Sequence, residues 1–440
     1  MINKNFPVHN KYSVCIVGLW HLGCVTASCL SSLGIKTLAF DPDKKLVENL
    51  KKSILPIHEP GMRELIIEGL RKDFLNFTSD INDIANNKIY WITYDTPVDY
   101  YDTANIDYII DNICSLNKQI KSNSNIIISS QVSVGTCELI FNIFKNQYNK
   151  KLNIFYLPEN LRLGKSLDVF LKPDRLVIGK DQDSVISDVK NLLDKISSSQ
   201  IWMSNKSAEM SKHAINSFLA TSVAFANEIG SICDEVGANP DDVSLALKSD
   251  IRIGTYAYLN AGGPFAGGTL ARDVVYLNNY CDLNNIKTPL LSSIIDSNQN
   301  HKEWIMRSLK KDFKFLKDLK ILILGLSYKI GTNTLRRSHS LEIANFLSNH
   351  NTVYLYDPII EIEKIKLRKN QILINDLTNL GSNVDIFIIT KNWPCQLSEI
   401  KKQIMINDKH LFIYDINRSF KEDYKILKDL NCIYKTIGRF

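Results

Sequence analysis

Several features that would tie a chain to a membrane, a disulfide framework or a nucleic acid are missing here. No uncharged apolar run approaches the ~20 residues a bilayer span needs, and the opening MINKNFPVHNKYS has no apolar stretch before its first strand, so neither a span nor a signal peptide is expected. A cytoplasmic address follows from that reading. The nine cysteines (15, 24, 29, 114, 137, 233, 281, 395 and 432) form no Cys-x-x-Cys pair and have no His at metal spacing. Their odd number and scatter argue against disulfides and a metal centre, and they read as buried or incidental thiols. Long blocks of like charge are absent too. The net charge of +6 is spread over 53 basic and 47 acidic residues, which suits a site for anionic phosphates better than a nucleic-acid surface, and no membrane partner is expected.

What is present is ample core: 45% hydrophobic and 23% charged residues over 440 positions, enough for two or three domains. Tyr12 to Gly18 make an apolar run ending in glycine, HLGCVTASCLSSLG follows with helical spacing, and IKTLAFD closes a strand–helix–strand unit. KIYWITYDTP, NIIISS and NIFYLP continue it as a parallel sheet wrapped by helices. From about Lys206 to Val236 only Gly230 interrupts a proline-free, three-and-four apolar spacing, which predicts one long helix. At LKILILGLSYK the opening pattern returns, with Gly325 after the strand and a helix over Ser338–Leu347. The fold class is therefore α/β: two Rossmann-like doubly wound domains, residues 1–200 and 301–440, joined by a long central helix and a helical dimerisation domain, residues 201–300.

Gly18-Leu19-Trp20-His21-Leu22-Gly23 keeps the outer glycines of a dinucleotide turn but has Trp20 where a middle glycine lets backbone approach the pyrophosphate. Asp41 ends the second strand, where an acid accepts from ribose hydroxyls and repels a 2′-phosphate, so the expected cofactor is NAD rather than NADP. The competing reading is that Gly18 and Gly23 only permit tight strand–helix packing.

Further blocks stand in order: Pro56 to Gly61, Thr96-Pro97, Val134-Gly135-Thr136, Leu157-Pro158-Glu159, Pro173-Asp174-Arg175, Lys212, Asn216, Asn227-Glu228, Arg252-Ile253-Gly254, Phe265 to Asp273, and Gly325 to Lys329 leading to Arg336 and Ser338. Together they resemble the UDP-glucose/GDP-mannose dehydrogenase family over nearly the whole chain. That resemblance implies NAD in the N-terminal domain, touching Thr96, Pro97, Ser130, Gln131 and Arg336 besides the glycine turn. It implies a nucleoside-diphosphate sugar, with UDP preferred, held by Glu159, Leu161, Arg162, Leu163, Lys212, Asn216, Phe265, Gly267, Gly268, Tyr328 and Lys329, the last two in a C-terminal UDP-binding domain. Arg252 resembles the arginine that the family extends into a neighbour's sugar site, implying at least a homodimer. The family oxidises the sugar C6 alcohol twice, through a cysteine thioester, and often serves polysaccharide biosynthesis.

The chain departs from the family where the second oxidation is concerned. Thr269 stands at the cysteine of a block resembling Gly-Phe-Gly-Gly-Ser-Cys-Phe-Pro-Lys-Asp, Leu163 replaces the second Glu of Pro-Glu-Phe-Leu-Arg-Glu, and Gln131 replaces a threonine that helps hold the catalytic water. A thiol ionises near about pH 8.5 and attacks an aldehyde readily, whereas an aliphatic hydroxyl needs an adjacent base. Lys212, Asn216 and Asp273, which match the groups handling the first proton, are kept. The leading expectation is a two-electron oxidation halted at the aldehyde. The alternatives are full oxidation to a uronic acid through an aldehyde hydrate, and a non-catalytic binder of nucleotide sugar or NAD.

Overall fold

The computed structural model describes residues 13–440 apart from 86, 100–102, 183, 266–268, 328–334, 336–337, 361–364, 381–383, 392–395, 407–409, 431 and 439–440. The chain divides into two compact units between Ala214 and Ile215.

In the first unit β1 (Val14–Val17), β2 (Thr37–Phe40), β3 (Leu75–Thr78), β4 (Ile89–Ile92), β5 (Asn125–Ile128), β6 (Asn153–Tyr156), β7 (Leu176–Lys180) and β8 (Gln200–Ser204) form one sheet in the order β3-β2-β1-β4-β5-β6-β7-β8. The central strands are short, apolar and buried on both faces, as strands covered by helices must be. Alternate residues of β1 serve opposite cores: Val14 and Ile16 pack on one side, Cys15 and Val17 on the other. Each fully buried Ile or Leu contributes about 1.5–3 kcal/mol. The covering helices are α1 (His21–Ser32), α2 (Lys44–Lys51), α3 (Met62–Arg71), α4 (Ile106–Ser115), α5 (Thr136–Gln147), α6 (Ser166–Leu171) and α7 (Ser187–Leu193). The strands β1, β2, β4, β5 and β6 marked by the sequence run parallel, and the sheet continues past them. β7 runs antiparallel to β6, and β8 pairs parallel to β7. A strand direction is set by the path of its connection, which a local apolar pattern does not encode.

The predicted long helix is α8 (Asn205–Val236), so the boundary between the units falls inside it. Its first residue is fixed by side-chain bonds: Asn205 Oδ1 accepts from Tyr156 N at 3.1 Å, and its amide donates to the Ile154 carbonyl and Asp181. The second unit continues with α9 (Pro240–Ser249), α10 (Leu270–Leu283), α11 (Pro289–Lys302) and α12 (Trp304–Asp312). Then β9 (Lys320–Leu324), α13 (His339–Leu347), β10 (Thr352–Tyr356), β11 (Gln371–Leu373), β12 (Ile386–Ile389), α14 (Gln396–Ile406), β13 (Leu411–Asp415), α15 (Tyr424–Asp429) and β14 (Cys432–Thr436) complete it. Its strands are all parallel in the order β11-β10-β9-β12-β13-β14, the doubly wound order that the first six strands of unit one also follow.

Candidate functional site

The glycine turn after β1 has the backbone that the sequence required. Gly18 has φ of 96°, a region costly to side chains, and an added Cβ would meet the Tyr94 ring at 2.6 Å. At Gly23 a Cβ would stand 1.9 Å from the Gly18 carbonyl oxygen, so α1 can begin at His21 only because residue 23 has no side chain. Thr93 Oγ1 donates to the Gly18 carbonyl at 2.7 Å, and Asp41 accepts from Leu19 N at 2.8 Å and Asp43 N at 3.0 Å. A carboxylate has about four acceptor sites, so two remain for ribose hydroxyls. Trp20 caps α1 through its backbone and points a half-exposed indole outward. At the neighbouring strand ends, Thr96 Oγ1 donates to the Gln131 carbonyl at 2.5 Å. Leu22 is buried and Pro97 exposed.

His21 is engaged inward. Its Nε2 lies 2.8 Å from Glu59, a buried acid that also accepts from Ser166 N at 2.9 Å, Gly164 N at 3.0 Å and Ser166 Oγ at 3.0 Å. Burial pushes the Glu59 carboxyl upward, but the His21, Ser166 and Gly164 donors outweigh it and hold the group below its ordinary value. Glu59 thereby joins the turn to the loop carrying Glu159, Leu161, Arg162 and Leu163. In that loop Glu159 Oε2 accepts from Leu161 N at 2.7 Å, and the Arg162 carbonyl accepts from Ser166 Oγ at 3.0 Å.

The first turns of α8 send three polar side chains into unit one. Glu209 accepts from Gly135 N at 2.6 Å and Cys137 N at 2.9 Å, capping α5, and burial raises its pKa. His213 Nε2 donates to the Val132 carbonyl at 3.0 Å. Lys212 is buried, donates to the Glu159 carbonyl and stands 3.8 Å from Glu159 Oε1. The structure thus brings Lys212 and Glu159 together.

Within unit two, Asn216 Nδ2 donates to Asp273 Oδ2, and both residues are buried. The backbone of Phe265 is held on both sides by Asn298, at 3.0 and 2.9 Å. Gly262 and Gly263 are tied to Asn227, His301 and Asn417. Thr269 is the N-cap residue of α10, with no capping bond from its hydroxyl. Cys281 lies on the same helix, ~18 Å away at 1.5 Å per residue, and cannot replace it. Arg252 is exposed and folded onto Asp250, with Nε to Oδ1 at 3.0 Å and Nη2 to Oδ2 at 2.6 Å. Gly267, Gly268, Tyr328, Lys329 and Arg336 lie outside the described residues.

Residues 12–197 match the UDP-glucose/GDP-mannose dehydrogenase family, NAD binding domain; 206–300 match its central domain, and 322–422 its UDP binding domain. A UDP-glucose 6-dehydrogenase of Rickettsia typhi is 32% identical over 97% of this chain and 99% of its own length. The chain belongs to the UDP-glucose/GDP-mannose dehydrogenase family. UDP-glucose 6-dehydrogenase TuaD of Bacillus subtilis is 27% identical, with 97% and 93% covered. The fold matches a UDP-glucose dehydrogenase from the archaeon Pyrobaculum islandicum with a TM-score of 0.85 at 24% identity, over 99% of this chain and 100% of that one.

The protein is an NAD-dependent nucleotide-sugar dehydrogenase by family. The turn fits that cofactor, since Asp41 keeps acceptor capacity and the buried Ser130 hydroxyl has no hydrogen-bond partner among the described residues. The sequence reading missed Glu59, Glu209 and His213 as parts of the site. Glu59 sits in a block that the resemblance did pick out, which was the available signal. No helix among the described residues is long and apolar enough to cross a membrane.

Proposed function

We propose that the chain oxidises the C6 alcohol of a UDP-sugar, UDP-glucose first among candidates, by two electrons and releases the aldehyde. The observation that carries this reading is the survival of the buried Asn216–Asp273 pair beside a Thr269 that caps a helix where the family uses cysteine. NAD, held at the Gly18 turn and Asp41, would supply the hydride acceptor. Lys212 and Asn216, successive turns apart on α8, hold the alcohol oxygen and stabilise alkoxide character as the C–H bond breaks. Asp273 receives the hydroxyl proton, directly or through a water. Nothing in Thr269 supplies a covalent acceptor for the aldehyde carbon, because its hydroxyl has no base in the same helix turn except Asp273, which the first step uses.

Full-length likeness to UDP-glucose 6-dehydrogenases favours a second reading, oxidation through an aldehyde hydrate to a uronic acid. Counting NADH per UDP-glucose consumed, with the aldehyde trapped by a hydrazine, separates the two. One NADH and a trapped hydrazone are expected; two NADH and a uronic acid would refute the halted reaction. Lys212→Ala should lower turnover at least about a hundredfold, and wild-type turnover would remove Lys212 from the site. We also propose a homodimer through α8. Phe218, Phe225 and Ile232 make an exposed seven-residue-spaced stripe on it, and the loop carrying Arg252 exposes Ile251 and Tyr256 almost fully. Sedimentation showing a monomer at micromolar concentration would exclude that assembly. A role in polysaccharide biosynthesis and a cytoplasmic address accord with this chemistry.

A further inference from the structure

The second sheet repeats the turn of the first, residue type by residue type. Gly325 follows β9 with φ of 90°, Thr390 after β12 donates to the Gly325 carbonyl and to the Leu324 carbonyl at 3.1 Å, and Asp357 after β10 accepts from Leu326 N at 2.8 Å. These are the counterparts of Gly18, Thr93 and Asp41. Two side chains differ. Ser327 stands where the first turn has Trp20, and Lys391 packs against Gly325 where the first turn has the Tyr94 ring: a Cβ on Gly325 would lie 2.5 Å from Lys391 Cβ.

Neither side chain has a polar partner among the described residues. The Ser327 hydroxyl is buried and makes no hydrogen bond among the described residues. The Lys391 ammonium makes neither a hydrogen bond nor an ion pair among them, although Asp357 attracts it; burial depresses its pKa below that of an ordinary lysine. A buried hydroxyl and a part-buried ammonium beside the same glycine turn are groups that an anion would satisfy. The location is also where a doubly wound sheet takes its ligand: β9 and β12 are neighbours at the reversal of strand order, and both residues lie beyond their carboxyl ends.

The remaining difference says which anion. In the first half α1 begins at His21, directly after the turn, so helix amides and dipole can face a pyrophosphate. In the second half the Lys391 side chain, packed against Gly325, brings positive charge to the turn. We infer that Ser327 and Lys391 form a phosphate-binding pair for the diphosphate of the nucleotide sugar. This rests on the reading of the second unit as the UDP-sugar half.

The test is calorimetric titration of UDP and of uridine into the full-length protein and its Lys391→Gln, Lys391→Arg and Ser327→Ala variants, with NAD affinity measured alongside. Lys391→Gln should raise the UDP Kd at least tenfold and Ser327→Ala threefold or more, while Lys391→Arg, the NAD affinity and the weak uridine binding stay within twofold of wild type. Unchanged UDP affinity in a folded Lys391→Gln protein overturns the inference and leaves the substrate reading intact. If that variant does not fold, unchanged UDP affinity in Ser327→Ala overturns it equally. A wild-type protein that binds no UDP refutes the substrate reading and this inference together, and loss of NAD affinity in Lys391→Gln would assign the pair to the dinucleotide instead.

Discussion

The turn at Gly18 and the turn at Gly325 are built from the same three parts, yet the side chains set against them differ. The shared parts are those the backbone demands: a glycine at positive φ, a threonine hydroxyl on its carbonyl, and an aspartate receiving the next amide. What varies are the side chains set beside the turn, Trp20 against Ser327 and Tyr94 against Lys391. Ligand choice in such a pair of halves therefore resides in the side chains around a constant turn rather than in the turn itself.

The comparison breaks most completely at Gly23, whose role exists only where a helix abuts the turn. Gly23→Ala places a methyl group 1.9 Å from a backbone oxygen, and neither α1 nor β1 can yield cheaply. A loss on the order of 3 kcal/mol of stability is expected, with NAD binding abolished, as read by urea unfolding and by NADH fluorescence. Wild-type NAD affinity in this variant would show that α1 does not depend on the close approach.

Sharper discrimination comes from the two aspartates. Asp41→Asn should weaken NAD about tenfold, or ~1.4 kcal/mol, and narrow the preference over NADP, because the amide offers fewer acceptors and no repulsion. Asp357→Asn should cost ~1–2 kcal/mol of stability and leave the NAD KM unchanged, since Asp357 accepts from Leu326, Ser327 and Ile359 amides in the other half. Equal effects of both on NAD would mean that the halves are not divided as argued.

How much of this could be read beforehand follows from the range of each interaction. Gly18, Gly23 and Asp41 were legible because a strand, a turn and the next strand lie within one short stretch with fixed spacing. Lys212, Asn216 and Asp273 were picked out by the register of blocks, not by any local signal, and the structure pairs Asn216 with Asp273. Glu59 could not be assigned its contacts, since Gly164 and Ser166 are 105 and 107 residues away. The reversed direction of β7 and the Lys391 side chain beneath Gly325 were equally hidden, for both depend on how distant segments are brought side by side.

The smallest expected effects are differences in pH dependence, and they separate two buried acids, one in each half. Glu59 is held below its ordinary value, so its contribution is complete above the unfolded-state pKa and disappears as pH falls through the folded value. The stability gap between wild type and Glu59→Gln should consequently be widest near neutrality and narrow in acid. Asp415, which accepts from Tyr434 Oη at 2.7 Å and Phe420 N at 2.9 Å, has the opposite sign: burial raises its pKa more than those donors lower it. The folded state then favours the proton, so acidification helps wild type relative to Asp415→Asn and that gap should widen. Urea unfolding of both variants at steps between about pH 4 and 7 reads the two slopes. Parallel slopes would mean that the His21, Ser166 and Gly164 donors do not outweigh the burial of Glu59, and that the first half stores no acid-sensitive clamp beside its cofactor turn.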